Sequence, residues 1–92
     1  LIRYCAENYT KPVTLKEIAK KFGYTPEYFS RIFNKKYKTS FTDFINSLRV
    51  EEAKKLLTKN DNITEVAFAC GFSSIRNFNR VFKQKAGKTP YE

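Results

Sequence analysis

Two arginines in the last third of the chain, Arg76 and Arg80, lie four residues apart with asparagines between them. On a helix this spacing places both guanidinium groups on one face, one turn apart. A guanidinium can donate two hydrogen bonds to O6 and N7 of guanine, and an amide such as that of Asn79 can pair in the same way with adenine. These residue types therefore match the chemistry of base reading in the major groove of DNA.

A second group of polar side chains lies earlier in the chain and would project from a helix on the side opposite Phe29 and Phe33; it comprises Glu27, Ser30, Arg31 and Asn34. Arg31 could bind guanine, and Glu27 could accept a hydrogen bond from N4 of cytosine. Two alternatives stay open. Glu27 also suits a first-turn residue that stabilises the helix dipole, and Arg31 also suits a scaffold salt bridge to the following helix.

The charge of the chain is strongly positive. The 92 residues carry a net charge of +9, and residues 66–91 contain no acidic residue. Such an excess predicts an anionic partner, either nucleic acid or an acidic membrane surface. No apolar run approaches the roughly 20 residues that cross a bilayer. Of the two anionic partners, we expect nucleic acid and no membrane.

Catalysis and cofactor binding are not expected. The chain has no histidine, and its two cysteines, Cys5 and Cys70, have no metal-ligand spacing. There is no glycine-rich phosphate loop, and the few carboxylates lie at expected helix starts. Each cysteine has apolar neighbours, so we interpret both as reduced core residues of a cytoplasmic protein, with a disulfide or redox switch as the alternative.

Local signals divide the chain into helices and leave no strand pattern, so the predicted fold class is all-α. Thr14 with Glu17 forms a capping box, and Thr25 precedes a proline at the first helical position. Ser40, Asn62 and the pair Ser73 and Ser74 can cap further helices. The predicted helices, about seven in number, are residues 1–8, 15–22, 26–37, 41–57, 63–70 and 74–86, with another beginning at 89–90.

The second half of the chain repeats the first. Gly71 and Phe72 lie 48 residues after Gly23 and Tyr24, and residues 78–82 match residues 29–33 at an offset of 49. The repeated unit is a short helix, a turn with glycine and a longer helix, which is the pattern of a helix-turn-helix. We expect Phe22, Tyr24 and Phe72 to be buried beside these turns. A module that binds an acidic protein does not need two such units, so the repeat favours DNA.

Residues 63–73, 78–83 and 87–90, together with Arg49, Val50 and Ala53, resemble the signature of the AraC/XylS family of bacterial regulators. The resemblance implies one DNA-binding domain over residues 1–92, with helix-turn-helix units at 1–40 and 59–92 joined by a linker helix at 41–58. Its recognition helices, about 26–37 and 74–86, would enter successive major-groove segments about 34 Å apart.

The resemblance also implies partners. A double-stranded DNA operator is the main one, and RNA polymerase is a further candidate if the protein is an activator of transcription. Since the chain does not begin with methionine, we expect it to be part of a longer protein. An effector-sensing or dimerisation domain would then lie elsewhere in that protein.

The expected contacts follow from the family positions and from the charges. Base contacts are predicted for Glu27, Ser30, Arg31, Ile75, Arg76, Asn77, Asn79 and Arg80, with Ile75 equally suited to the core. Phosphate contacts are predicted for Thr25, Asn34, Lys35, Lys36, Ser73, Ser74, Lys83 and Lys85. Lys38 stands where the family often has glycine, so the first recognition helix is expected to end differently.

Overall fold

The computed structural model describes residues 2–11 and 14–90. This part of the chain contains six helices and no strand. In chain order they are α1 (Ile2–Asn8), α2 (Leu15–Lys21), α3 (Pro26–Tyr37), α4 (Phe41–Leu57), α5 (Ile63–Ala69) and α6 (Ile75–Ala86). The all-α prediction is confirmed. Residues 87–90 form bends and a turn, and the seventh predicted helix otherwise falls outside the described residues.

Side-chain caps explain why the helices after α1 begin where they do. Each cap accepts a hydrogen bond from the backbone N–H three residues on, over 3.0–3.2 Å, and the five caps are Thr14, Thr25, Ser40, Asn62 and Ser74. Of the two adjacent serines, Ser74 is the cap. The residue that changes the repeat offset from 48 to 49 therefore lies in the turn between Gly71 and Ser74.

The helices α3 and α6 end in the same way, although one ends at lysine and the other at glycine. Lys38 has φ 59 and donates its N–H to the carbonyl of Asn34 over 2.9 Å. Gly87 has φ 79 and donates to Lys83 over 2.9 Å. The expectation that α3 ends differently is wrong, because Lys38 adopts the left-handed backbone that glycine adopts without a steric cost.

Two hydrophobic cores lie along the linker helix α4. The first comprises Cys5, Ile18, Ala19, Phe29, Phe33, Phe41 and Ile45. The second comprises Val50, Ala53, Val66, Ala67, Cys70, Phe72, Phe78, Val81 and Phe82. Because α4 gives its N-terminal half to one core and its C-terminal half to the other, its apolar residues follow no single stripe. We call α1 to α3 the first unit, and α5 with α6 the second unit.

The two turns are not equally buried. Phe72 and Cys70 in the second unit are 2% and 0% exposed, whereas their counterparts Tyr24 and Phe22 are 43% and 40% exposed. The predicted burial of Tyr24 and Phe22 is therefore wrong. The turn at Gly71 packs against the backbone after α1, but a Cβ built on Gly23 would meet no atom within 4 Å.

Candidate nucleic-acid interface

The outward face of α6 is polar and basic. Arg76, Arg80 and Lys83 are all exposed and follow each other at intervals of four and three residues, which places them on one face. The opposite face carries Phe78 and Phe82, which are 0% and 4% exposed. Packing of these two rings into the second core therefore directs the three cationic side chains away from the protein.

Arg80 is held by a neighbour on the same helix. Its Nη2 donates a hydrogen bond to Oδ1 of Asn77 over 2.7 Å. A guanidinium carries five N–H donors in a planar fork, so the remaining donors can serve an external acceptor. Arg76, one turn earlier, is exposed.

The outward face of α3 repeats this arrangement with different residues. Glu27, Arg31 and Asn34 are exposed at the positions equivalent to Arg76, Arg80 and Lys83. The guanidinium carbon of Arg31 lies 5.6 Å from the ring centroid of Tyr28. Among the described residues Arg31 forms no ion pair, so the alternative scaffold salt bridge is not observed.

Tyr28 belongs to this face, and our reading of the sequence missed it. Tyr28 is 45% exposed, and its ring lies 5.4 Å from the ring of Tyr24, centroid to centroid. It occupies the position equivalent to Asn77, which was predicted as a base contact. Applying the offset of 49 to every predicted contact would have found it.

Four predicted base contacts are half-buried: Asn77, which contacts Arg80, and three others that lie closer to the cores. Ser30 and Asn79, which are equivalent in the repeat, are half-buried, and the Oδ1 atom of Asn79 is buried without a hydrogen bond from the described residues. Ile75 is half-buried and packs against the second core. The structure therefore does not bring these three residues onto the exposed faces with Arg31, Arg76 and Arg80.

The predicted phosphate-binding lysines fall into two groups. Lys35 and Lys83 are exposed and project outward. The ammonium group of Lys85 faces α4 and lies 3.8 Å from Oδ1 of Asp43, and its side chain is 21% exposed. Lys36, its equivalent, is also exposed, but its ammonium group lies 5.4 Å from the ring centroid of Tyr37. These two lysines lie on the sides of their helices rather than on the outward faces.

The N-termini of the two recognition helices differ in their suitability for an anion. Thr25, Ser73 and Ser74 are exposed. The first turn of α3 contains Pro26, which lacks an N–H, and the carboxylate of Glu27, whereas the first turn of α6 contains no acidic residue. Because free N–H groups and the helix dipole attract phosphate, α6 offers the better phosphate site.

The cysteines belong to the two cores. Cys5 and Cys70 are free and buried, as predicted. Burial is the main reason why the pKa of Cys70 is raised to about 11, and the charge of Glu52 raises it further. No group of three or more His, Cys, Asp or Glu residues in the described ranges could hold a metal ion. No helix in those ranges is long and apolar enough to cross a membrane.

Comparison with known proteins agrees with this architecture. A family model described as a helix-turn-helix domain matches residues 18–92. The HTH-type transcriptional regulator YijO of Escherichia coli K12 is 36% identical over 90 residues, which cover 97% of this chain and 32% of YijO. The chain thus spans about a third of that relative.

Solved structures have the same fold. The C-terminal domain of the two-component response regulator yesN from Fusobacterium nucleatum superposes with a TM-score of 0.90 at 29% identity, over 98% of this chain and 92% of that one. A transcriptional regulator from Chromobacterium violaceum, described as AraC-type, gives 0.80 at 26% identity, over 97% and 80%.

A third structure was determined with DNA bound. The DNA-binding domain of AdpA, in complex with a target DNA, gives a TM-score of 0.88 at 23% identity over 97% of this chain and 81% of that one. At that identity the likeness concerns the fold. With two helix-turn-helix units on one linker helix and a family match over most of its length, the chain belongs to the AraC-type helix-turn-helix family of transcriptional regulators, which is not a class of enzymes.

Proposed function

We propose that this chain binds double-stranded DNA in a sequence-specific manner, with α3 and α6 in two successive segments of the major groove. One observation carries the proposal: the two helices present outward faces that match in repeat position, although not in charge, Glu27, Arg31 and Asn34 on α3 and Arg76, Arg80 and Lys83 on α6. Each face lies opposite a fully formed core. A single basic helix would support DNA affinity, whereas two matched faces support a two-part site.

The dimensions of the molecule support the same arrangement. The described residues extend over 40 × 22 × 21 Å along the principal axes. Two recognition helices that enter the groove on one face of the duplex lie about one helical turn apart, or about 34 Å. The long axis can accommodate this separation.

The two helices would make different contacts. On α6, Arg76 and Arg80 would read guanine, and Lys83 would bind phosphate. On α3, Arg31 would read guanine while the exposed ring of Tyr28 would contact a thymine methyl group or the sugar edge. Glu27 stays a candidate for accepting a hydrogen bond from cytosine, and Asn79 would have to rotate before its buried amide oxygen could read adenine.

The full protein has a wider role, which we propose as follows. It activates transcription in the bacterial cytoplasm, contacts RNA polymerase, and receives its signal through a further domain. The greater length of the relative YijO and the response-regulator origin of the yesN domain support the further domain. Transcription in vitro from a promoter that carries the operator should rise when the full-length protein is added. Repression would contradict the activator role.

Selection from a pool of random duplexes tests the DNA-binding proposal. We expect the recovered sequences to contain a two-part, asymmetric motif whose halves lie about one helical turn, or roughly 10 base pairs, apart. Recovery of a single half would show that only one helix reads bases. Recovery of no motif would overturn the proposal.

A further inference from the structure

One arginine of the linker helix contacts both units. Nε of Arg49 donates a hydrogen bond to the carbonyl of Tyr9 over 2.7 Å, and its Nη2 donates to the carbonyl of Lys11 over 3.0 Å. Its guanidinium carbon also lies 5.7 Å from the ring centroid of Phe72. The same side chain therefore joins the segment that follows α1 to the turn between α5 and α6.

Other contacts close this junction. The hydroxyl of Tyr9 donates a hydrogen bond to Oε1 of Glu52 over 3.3 Å. Gly71 has φ 100, and a Cβ built on it would lie 2.7 Å from the carbonyl oxygen of Tyr9 and 2.9 Å from Thr10. The backbone of the second turn thus approaches the first unit so closely that only glycine fits.

The first unit forms its helix-turn-helix without such a close contact at its turn. The equivalent turn in the first unit, at Gly23, has the same left-handed backbone, but no atom lies within 4 Å of a Cβ built there. Its aromatic residue, Tyr24, is 43% exposed where Phe72 is 2% exposed. The contacts around Arg49 therefore act between the units rather than within one of them.

A second connection between the units restricts their relative motion. The linker helix α4 also joins the two units, but a helix alone leaves its ends free to bend and its packing free to shift. Two charge-assisted hydrogen bonds to backbone carbonyls from one planar guanidinium fix both distance and angle. Because α3 and α6 belong to different units, such a constraint also fixes their separation.

We propose that Arg49 is a positioning residue that sets the spacing between the two half-sites the chain accepts. This inference rests on the proposed two-part DNA binding. Adding one base pair between the half-sites moves one of them by about 3.4 Å and rotates it by roughly 34° about the duplex axis. If the junction is rigid, the two recognition helices cannot both reach their shifted half-sites, and affinity falls. If the junction is loose, the units can move relative to each other and affinity is retained.

The test compares Arg49→Lys with the wild-type chain on the selected operator and on operators with one base pair added or removed between the halves. A lysine keeps the positive charge but cannot reach both carbonyls with a planar fork. For the wild type we expect the one-base-pair change to weaken binding at least about tenfold, since the second half-site is then lost. For Arg49→Lys we expect a loss below about threefold.

Glycine substitutions provide a matched pair of variants. Gly71→Ala and Gly23→Ala both place a Cβ on a left-handed backbone, at φ 100 and φ 79, but only the first pushes against Tyr9 and Thr10. We expect Gly71→Ala to broaden the accepted spacing and Gly23→Ala to leave it unchanged. Circular dichroism confirms the helical content of each variant before binding is measured.

The outcomes separate the two proposals. If the wild type selects a two-part motif and Arg49→Lys keeps the wild-type spacing penalty, the role of Arg49 is overturned while DNA binding stands, whatever Gly71→Ala does. An equal broadening in Gly23→Ala would also overturn it, because general loosening would then suffice. If the wild type selects no two-part motif, the proposed function itself fails.

Discussion

In both recognition helices an arginine contacts the side chain three residues before it. Arg31 lies over the ring of Tyr28, and Arg80 donates to Asn77 over 2.7 Å. These contacts restrict long side chains before any ligand arrives, which lowers the conformational entropy that binding must remove. The partners at positions 28 and 77 thus act through the arginines as well as through contacts of their own.

Arg76 is a residue of α6 that we expect to read a base directly. We expect Arg76→Ala to weaken binding of the selected operator by about 1–3 kcal/mol and to remove the preference at one base step, because a bidentate contact to guanine is lost. Lys83→Ala should weaken all sequences alike. Repeating the duplex selection with each variant measures both effects, and an unchanged motif for Arg76→Ala would contradict the contact.

The buried thiol of Cys70 predicts how stability depends on pH. Its pKa is about 11 in the folded chain and 9.0 for an ordinary thiol. Between these pH values the unfolded chain has lost the proton that the folded chain keeps. The unfolded state therefore binds fewer protons, and the free energy of unfolding falls by up to about 1.4 kcal/mol per pH unit.

Urea unfolding between pH 8 and pH 10.5 measures this fall. Cys70→Ala should be less stable at every pH but should show a flatter dependence. Tyr9, whose pKa is also raised, chiefly by burial, contributes in the same direction and keeps some slope. Val66→Ala, in the same core but without a titratable group, should retain the wild-type slope. Equal slopes for the wild type and Cys70→Ala would contradict the prediction.

At the scale of elements, the end of α3 carries a steric cost that the end of α6 avoids. Lys38 has φ 59, and a left-handed backbone costs a residue with a Cβ about 1–2 kcal/mol. Since glycine also gains entropy in the unfolded chain, we expect Lys38→Gly to stabilise the protein by about 0.5–1 kcal/mol. Thermal or urea unfolding measures the change.

Gly87→Lys is the matched control at the equivalent position. A Cβ there would meet no atom within 4 Å, so backbone conformation alone decides its effect. We expect it to destabilise the protein by a similar amount. Stabilisation by Gly87→Lys, or destabilisation by Lys38→Gly, would show that the lysine side chain makes a contribution that outweighs the backbone.

The helices could be predicted from the sequence because their signals are local. A cap such as Thr14 and the N–H it satisfies lie three residues apart, and the buried rings of Phe29 and Phe33 lie one turn apart. Ser73 and Ser74 are both suitable caps for α6, and the sequence alone did not show which of the two serines is the cap. In the structure Ser74 is the cap, because its hydroxyl accepts a hydrogen bond from the backbone N–H of Asn77, three residues on.

What the sequence could not predict depends on distant parts of the chain. The exposure of Tyr24 and the burial of Phe72 differ because only the second turn meets the segment after α1. The orientation of Lys85 toward α4 depends on Asp43, which lies 42 residues earlier. The local sequence around the two recognition helices therefore predicts neither the difference in burial between the two turns nor the orientation of Lys85.

At the scale of the whole molecule, the net charge of +9 predicts a steep salt dependence. Each phosphate that a lysine or arginine neutralises adds about −0.9 to the slope of log K against log salt concentration. We expect Lys83→Ala to make this slope shallower by about one. Lys85→Ala should leave it unchanged, since Lys85 faces Asp43 on α4 rather than the outward side of α6.

Titrations of the operator at several salt concentrations, by fluorescence anisotropy of labelled DNA, give these slopes. A flat dependence for the wild type would contradict DNA binding through phosphates. Equal changes for Lys83→Ala and Lys85→Ala would show that the ion pair with Asp43 opens in the complex.

Tyr24 and Tyr28, which lie at the first recognition helix, allow DNA binding to be followed by the intrinsic fluorescence of the chain. The protein has no tryptophan, and five of its six tyrosines lie within residues 1–40, including Tyr24 and Tyr28. The remaining one, Tyr91, can be replaced with phenylalanine. Ultraviolet emission of that variant then arises from the first unit alone, so quenching on addition of DNA follows its occupancy without an attached dye. Comparing that signal with total binding reveals whether one unit engages the duplex before the other.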